Sequence, residues 1–600
     1  MIMRRFLGYC SSAHPLRFSS LPNAHKVASL QILHSGYIAN RTDMVARFAD
    51  VGSKVAGDDD AGIFARAYEH WGNDLSRHVL GEYALAVHDL ADRSLALFHD
   101  ELGLVPLFYS ATPGGITFSS RLDDLVLEVG TGELDEEFIA DYFARGEHFG
   151  DRTPYRDIQR LLPGESIRYR TGMVQKHNAW TLAEIARLRY SNPQDYAEHL
   201  RQLVGEAVTA ALPSIGQKTW CELSGGLDSS NVLCVANQRR AGIEAVSFIY
   251  PQSYSMDEQE WIKVVLREVP VAWHSVDVDS ARPFTLLPDD FQAQPNDWIV
   301  RAAKKQAYLK LLTDNGVKIV LSGEGGDSVF LGDLQEPFFL ADLLLRGQWG
   351  QLWKEIPPWA NAVRGERSWT FGFLTYALRP AIRHLRSQTL EYRRIPIPWA
   401  AESFRRRKKL DQRGFKWWLP AASFVGDAYM QQRIMRSASI INTLYYDLHG
   451  DVEFRHPLMY RPLVEFMTAI PWSAKVTPDL DRALQRQAFR GVVPLKTLQR
   501  PDKGGGDQAT IDGLENSRKW HAALTEQPRI VSRGYADLGK WRAALQQARF
   551  GKSIGLKYFQ ASADLEIWLQ RLEGEASEGK HVLEQRPDHI TPNAERQEVT

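Results

Sequence analysis

Ser224-Gly225-Gly226-Leu227-Asp228-Ser229-Ser230 stands between an apolar run at 218–223 and a helical run at 229–238. A glycine pair at the end of a strand permits a tight turn, and the first amides of the following helix favour a bound phosphate. The hydroxyls of Ser224, Ser229 and Ser230 add donors, and Asp228 brings a carboxylate able to hold a magnesium ion against phosphate oxygens. A bare Ser-Gly-Gly would read as an ordinary turn with a serine cap. Seven suitable residues between strand and helix instead predict a nucleotide pyrophosphate site.

A second loop, Ser322-Gly323-Glu324-Gly325-Gly326-Asp327-Ser328, follows the apolar run 317–321. Ligands of open α/β sheets sit beyond the carboxyl ends of the strands, so two such loops can face one crevice. Asp228 and Asp327 can then share one metal. Around the loops, strand-like runs at 245–250 and 272–278 alternate with helical runs at 195–211, 258–268 and 299–312. That alternation predicts an α/β domain with a parallel sheet.

Upstream, short alternating runs at 79–89, 94–100, 107–110, 116–119 and 161–170 are separated by Gly, Pro and Asp turns. They predict strands and hairpins in an α+β layered domain. Ser191-Asn192-Pro193 marks a boundary, giving domains at 1–190 and 191–573. Beyond 330 the pattern is mostly helical, and 574–600 reads as a disordered polar tail.

Composition narrows the functional classes. Lys plus Arg total 72 against 73 Asp plus Glu, a net charge of −1, so no global field attracts nucleic acid or an anionic membrane. Apolar residues at 44% and charged residues at 24% fit a globular enzyme-sized chain of 600 residues. Cys10, Cys221 and Cys234 form neither a disulfide framework nor a zinc motif, which fits a reducing cytoplasm. Neither export nor membrane anchoring is expected.

SGGLDSS and SGEGGD resemble the two signature loops of the asparagine synthetase superfamily, whose PP-loop ATP pyrophosphatase domain activates a carboxylate and releases AMP and pyrophosphate. Asp100-Glu101-Leu102-Gly103 and Pro106-Leu107-Phe108-Tyr109 resemble its N-terminal, Ntn-type glutaminase-like domain. The resemblance implies ATP and Mg²⁺ as cofactors, with Asp228 and Asp327 as metal ligands. It places the nucleotide on Ser224, Gly225, Gly226, Asp228, Ser229 and Ser230, and adenine near Leu223, Ser247, Phe248, Ser322 and Gly323.

Departures from the family pattern point further. Glutamine-hydrolysing members expose an N-terminal cysteine after removal of Met, but here Ile2 follows Met1 and the first cysteine is Cys10. Ser35-Gly36-Tyr37-Ile38-Ala39-Asn40 replaces the glutamine-holding NGEIYN pattern. The glutaminase half is therefore expected to be degenerate, with Asp100 structural. Another amine must then attack the activated carboxylate.

The β-lactam-forming branch carries Tyr where this chain has Glu324. Gly325 to Phe330, Ala341-Asp342-Leu343-Leu344, the Pro471 region and Arg500-Pro501-Asp502-Lys503-Gly504-Gly505 resemble instead the lasso peptide cyclases. That branch implies a ribosomal precursor peptide as substrate, with a leader peptidase and a leader-binding protein as partners. It makes Lys503 the cation facing the acyl-adenylate. Glu324 reads equally as proton acceptor or as a residue satisfying loop amides. An amide ligase using free ammonia or a small amine is the alternative.

Weaker signals complete the reading. The Walker-like stretch 534–540 has Trp541 where a metal-binding hydroxyl belongs, and no strand precedes it. The basic run Arg405-Arg406-Arg407-Lys408-Lys409 suits a solvated face or an acidic partner. Trp349, Trp353, Trp359, Trp369, Trp399, Trp417 and Trp418 are expected to be mostly core, with one or two lining a peptide pocket.

Overall fold

The computed structural model describes residues 5–11, 17–18, 25–50, 52, 55, 59–148, 150–182, 185–213, 216–253, 257–332, 336–365, 368–387, 397–413, 422–445, 448, 452–501, 507–551 and 555–577. Its N-terminal region contains β1 (Leu7–Ser11), β2 (Arg17–Phe18), β3 (His25–Val27), β4 (Leu30–Ile38), β5 (Gly81–Asp89), β6 (Ser94–His99), β7 (Phe108–Thr112), β8 (Gly115–Ser119), β9 (Gln159–Arg160), β10 (Glu165–Arg170) and β11 (Met173–Asn178). They form two antiparallel sheets, ordered β2-β1-β8-β7-β9 and β11-β10-β6-β5-β4-β3.

Side chains alternate across each strand. On β5, Ala84 and Ala86 join Cys10, Ile116, Phe118 and Leu97 between the sheets. Tyr83, Leu85 and Val87 point the other way, under helices Arg41–Asp50 and Asp60–Trp71. Helices Leu122–Val129 and Glu136–Arg145 bury Leu122, Leu125, Phe138 and Phe143 with Phe108 of β7. This is the α+β layering expected from sequence.

The C-terminal region is built on five parallel strands: β12 (Thr219–Glu222), β13 (Glu244–Ile249), β14 (Trp273–Asp277), β15 (Ile319–Leu321) and β16 (Glu453–Arg455). Their order is β14-β13-β12-β15-β16. Cys221, Ala245, Ile319 and Leu321 face one core, while Trp220, Val246, Val276 and Val320 face another. Burial on both faces is the rule for parallel sheets. Helices α1 (Leu227–Arg239), α2 (Gln259–Glu268) and α3 (Ala302–Asp314) alternate with the strands, and α4 (Val425–Leu444), α5 (Ala483–Ala488) and α6 (Leu556–Ser577) come later.

Three expectations change. Gly574 to Ser577 finish α6 instead of beginning a tail, and 578–600 lie outside the described residues. The basic run divides: Arg406, Arg407 and Lys409 are exposed, as a solvated face would be, while Lys408 docks within the chain. Lys408 pairs with Glu136 and Glu137, and Arg413 just beyond it pairs with Glu137 and Asp141, all on helix Glu136–Arg145. Trp359 and Trp399 are buried, but Trp349 is 58% and Trp353 63% exposed, while Trp417 and Trp418 lie outside the described residues. Among the described residues no helix is long and apolar enough to cross a membrane.

Candidate active site

Both glycine-bearing loops leave the carboxyl edge of adjacent strands. The first joins β12 to α1, and the second leaves β15 for the short helix Gly326–Val329. Because β12 and β15 pair in parallel, Cys221 against Leu321, the loops emerge side by side. They touch through glycines. A Cβ on Gly323 would lie 2.6 Å from the Ser229 amide nitrogen, and one on Gly326 would overlap the Asp228 carboxyl carbon. Any side chain at either position would force the loops apart.

Asp228 and Asp327 are brought to one point, and the point holds a guanidinium. Arg482, just ahead of α5, donates from Nη1 to Asp228 Oδ2 at 2.9 Å. Its Nη2 lies 3.0 Å from Asp327 Oδ1, and its Nε reaches Asp481 Oδ2 at 3.2 Å. Gln485 Nε2 donates to Asp228 Oδ1 at 2.8 Å. Burial opposes the charge of Arg482, but the carboxylates of Asp228, Asp327 and Asp481 outweigh it and raise its pKa. Arg482 and Gln485 escaped the sequence reading, since they stand 254 and 257 residues from Asp228 and carry no local pattern.

The geometry fits a metal that arrives with phosphate. Two carboxylates already converge on a cation, whereas no group of three or more His, Cys, Asp or Glu among the described residues forms a complete cage. Mg²⁺ is commonly held by one or two carboxylates plus substrate phosphates.

The serines divide into two sets. Ser224 and Ser229 hydroxyls lie 3.1 Å apart, and Ser229 Oγ also accepts the Ser224 amide at 3.1 Å, so the pair shapes the first loop. Ser230 is fully buried in the first turn of α1. Ser247 donates to the Leu223 carbonyl at 2.5 Å and accepts from Trp273 Nε1 at 2.9 Å. Ser322 donates to Glu222 Oε2 at 2.6 Å. Those last two hydroxyls tie strands together, and the Leu223 backbone is itself engaged, its carbonyl by Ser247 and its amide by the Val246 carbonyl.

Phe248 carries the Lys304 ammonium 3.7 Å from its ring centre and meets Tyr308 edge-on at 4.9 Å. Burial, opposed in part by Glu222 and Asp297, lowers Lys304 to about 7. Glu222 gathers three hydroxyls beneath the second loop, from Tyr308, Ser322 and Tyr445. Glu324 sits above them with its amide donating to Ser322 Oγ at 3.1 Å. Burial first, then Asp327 and Glu222, raise its pKa, which favours proton uptake.

Lys503 lies outside the described residues. The chain leading to it is anchored, because Arg500 donates to Glu258 Oε1 at 2.5 Å and covers the Trp261 ring at 4.9 Å. Asp342 accepts the Gly426 amide at 2.9 Å, a packing role within helix Phe339–Leu345.

In the N-terminal region, Cys10 is buried in β1 opposite Ile116, and burial pushes its thiol up to about 11. A thiol so placed is a poor nucleophile. Asn40 is spent on the His78 carbonyl and the Leu80 amide, and Asp100 accepts the amides of Tyr83, Leu104 and Val105.

The family description Asparagine synthase matches residues 199–570, and Glutamine amidotransferase domain matches 17–180. The chain belongs to the asparagine synthase family. As a member it is an ATP-using, asparagine synthase-like amide ligase that forms a carbon–nitrogen bond. Its N-terminal region is an Ntn-type glutamine amidotransferase domain, and its C-terminal region is a PP-loop ATP pyrophosphatase-like domain around the parallel sheet. A Mycobacterium tuberculosis protein named as a putative glutamine-hydrolyzing asparagine synthetase is 25% identical over 76% of this chain and 71% of its own length. Glutamine-hydrolyzing asparagine synthetase 3 of Bacillus subtilis is 20% identical over 79% and 75%. The NH3-dependent NAD synthetase of Campylobacter jejuni aligns with 32% of this chain and 92% of its own, at 14% identity and a TM-score of 0.19.

Proposed function

We propose that this ligase is a lasso peptide cyclase. It adenylates an Asp or Glu side chain of a ribosomal precursor peptide and closes a macrolactam with the amino terminus of the core. The observation that carries the reading is Cys10. The ligase half keeps its convergent acids, while the thiol of the glutaminase half is buried in a strand and held protonated. An amine from outside the chain then has to attack.

In this reading Asp228 and Asp327 hold Mg²⁺, and the amides opening α1 bind the phosphates. The metal, when bound, supplies charge to the departing pyrophosphate. Glu324 takes the proton of the attacking amine, a role favoured by the burial and neighbouring carboxylates that raise its pKa. The α-amine, with a pKa of about 7.7 to 8.0, is already neutral in roughly a tenth of molecules at pH 7, so strong base catalysis is unnecessary. Positioning of amine against acyl-adenylate supplies much of the rate. Lys503 is the cation assigned to stabilising the acyl-adenylate, and a leader peptidase and a leader-binding protein act beside the enzyme in the cytoplasm.

The names of the relatives favour a second reading, an amide ligase using ammonia. Incubation with ATP, Mg²⁺ and a linear core peptide, against aspartate plus ammonia, separates the two. Loss of one water from the peptide supports cyclisation; asparagine formation with an unchanged peptide overturns it.

A further inference from the structure

Arg482 occupies the place where two proposed metal ligands meet. Its guanidinium spans Asp228 and Asp327 at 2.9 and 3.0 Å, which a divalent ion at the same point could not share. The surroundings are built for it. A Cβ on Gly332 would lie 2.8 Å from Arg482 Nε, so only glycine there leaves the side chain its path. Arg433 donates at 2.6 Å to the Asp327 and Gly332 carbonyls and fixes the same turn. Arg482 has φ 52° and precedes α5, whose Gln485 holds the other oxygen of Asp228.

Two carboxylates this close repel unless a cation lies between them. Mg²⁺ dehydrates reluctantly, and among the described residues no group of three or more His, Cys, Asp or Glu forms a cage for it, so it would gain most of its ligands from phosphate. A guanidinium matches carboxylate and phosphate equally well.

We propose that Arg482 is the resident cation of the acid pair, a positioning residue that keeps Asp228 and Asp327 convergent and yields to a divalent ion when the nucleotide's phosphates receive its guanidinium. Metal and nucleotide therefore bind together, and metal alone binds poorly. The inference rests on the Mg²⁺–ATP reading of the two loops.

Mn²⁺ binding to the full chain, followed by electron paramagnetic resonance with and without a non-hydrolysable ATP analogue, tests it. Wild type is expected to bind Mn²⁺ at least about tenfold more tightly with the analogue, and Arg482→Met to bind Mn²⁺ alone about tenfold more tightly than wild type does. In chelator Arg482→Met melts below wild type, and Mn²⁺ restores it. Equal Mn²⁺ affinity in wild type with and without the analogue overturns the proposal, whether or not the variant folds. Absence of Mn²⁺ binding even with the analogue overturns the underlying metal–nucleotide reading instead.

Discussion

The two halves of the chain use their polar side chains in opposite ways. In the N-terminal region, Asn40 and Asp100 are consumed by backbone groups and Cys10 by packing. In the C-terminal region, Asp228 and Asp327 converge from two separate loops on one buried arginine. Satisfied polar groups make a scaffold. Convergent like charges cost stability and persist where chemistry uses them.

The largest effect tests the convergent half. Asp228→Ala should lower ATP-dependent pyrophosphate release about a hundredfold or more with the fold retained by circular dichroism. Next comes the contact between the loops. Gly326→Ala places a Cβ against the Asp228 carboxyl and should cost about 1 to 3 kcal/mol in denaturant melts, with activity falling alongside.

The third test concerns the scaffold. His99 is buried with Nε2 2.7 Å from the Leu162 carbonyl, and burial lowers it from 6.5 to about 4. The unfolded chain takes up that proton first, so the contribution is whole above about 6.5 and fades as pH falls toward 4. Asp100 and Glu101, raised by burial to about 7 and 8, titrate in the opposite sense, so the comparison must be made between variants. Wild type should lose stability relative to His99→Gln between pH 6.5 and 4 in paired thermal melts. A constant difference would contradict the burial argument. The smallest effect is Cys10→Ala, which should leave ligase turnover within about twofold while costing roughly 1 kcal/mol of stability. A large loss of turnover would restore a catalytic thiol and erase the contrast.

Much of the fold was legible because short apolar runs ended in turn residues, Ser-Gly after 223 and 321 and Pro251 after 250. The strands at 219–222, 244–249 and 319–321 lie within a residue or two of their sequence readings. β16 was not legible, since Glu453-Phe454-Arg455 offers one apolar residue and owes its place to pairing with β15. β4 was missed because Gln31, His34 and Ser35 interrupt its apolar pattern. In the site, local spacing exposed the loops and their acids. Arg482 and Gln485 could not be found that way, because only the folded chain brings α5 over the first loop.

The central claim is that both acids serve one metal–nucleotide site. Binding of Mn²⁺ with a non-hydrolysable ATP analogue, measured for Asp228→Asn, Asp327→Asn and the double variant, tests it most directly. The account predicts a loss of about tenfold or more for each single variant and a double variant hardly worse than the weaker single. Losses that simply add, or a single variant binding like wild type, would contradict it.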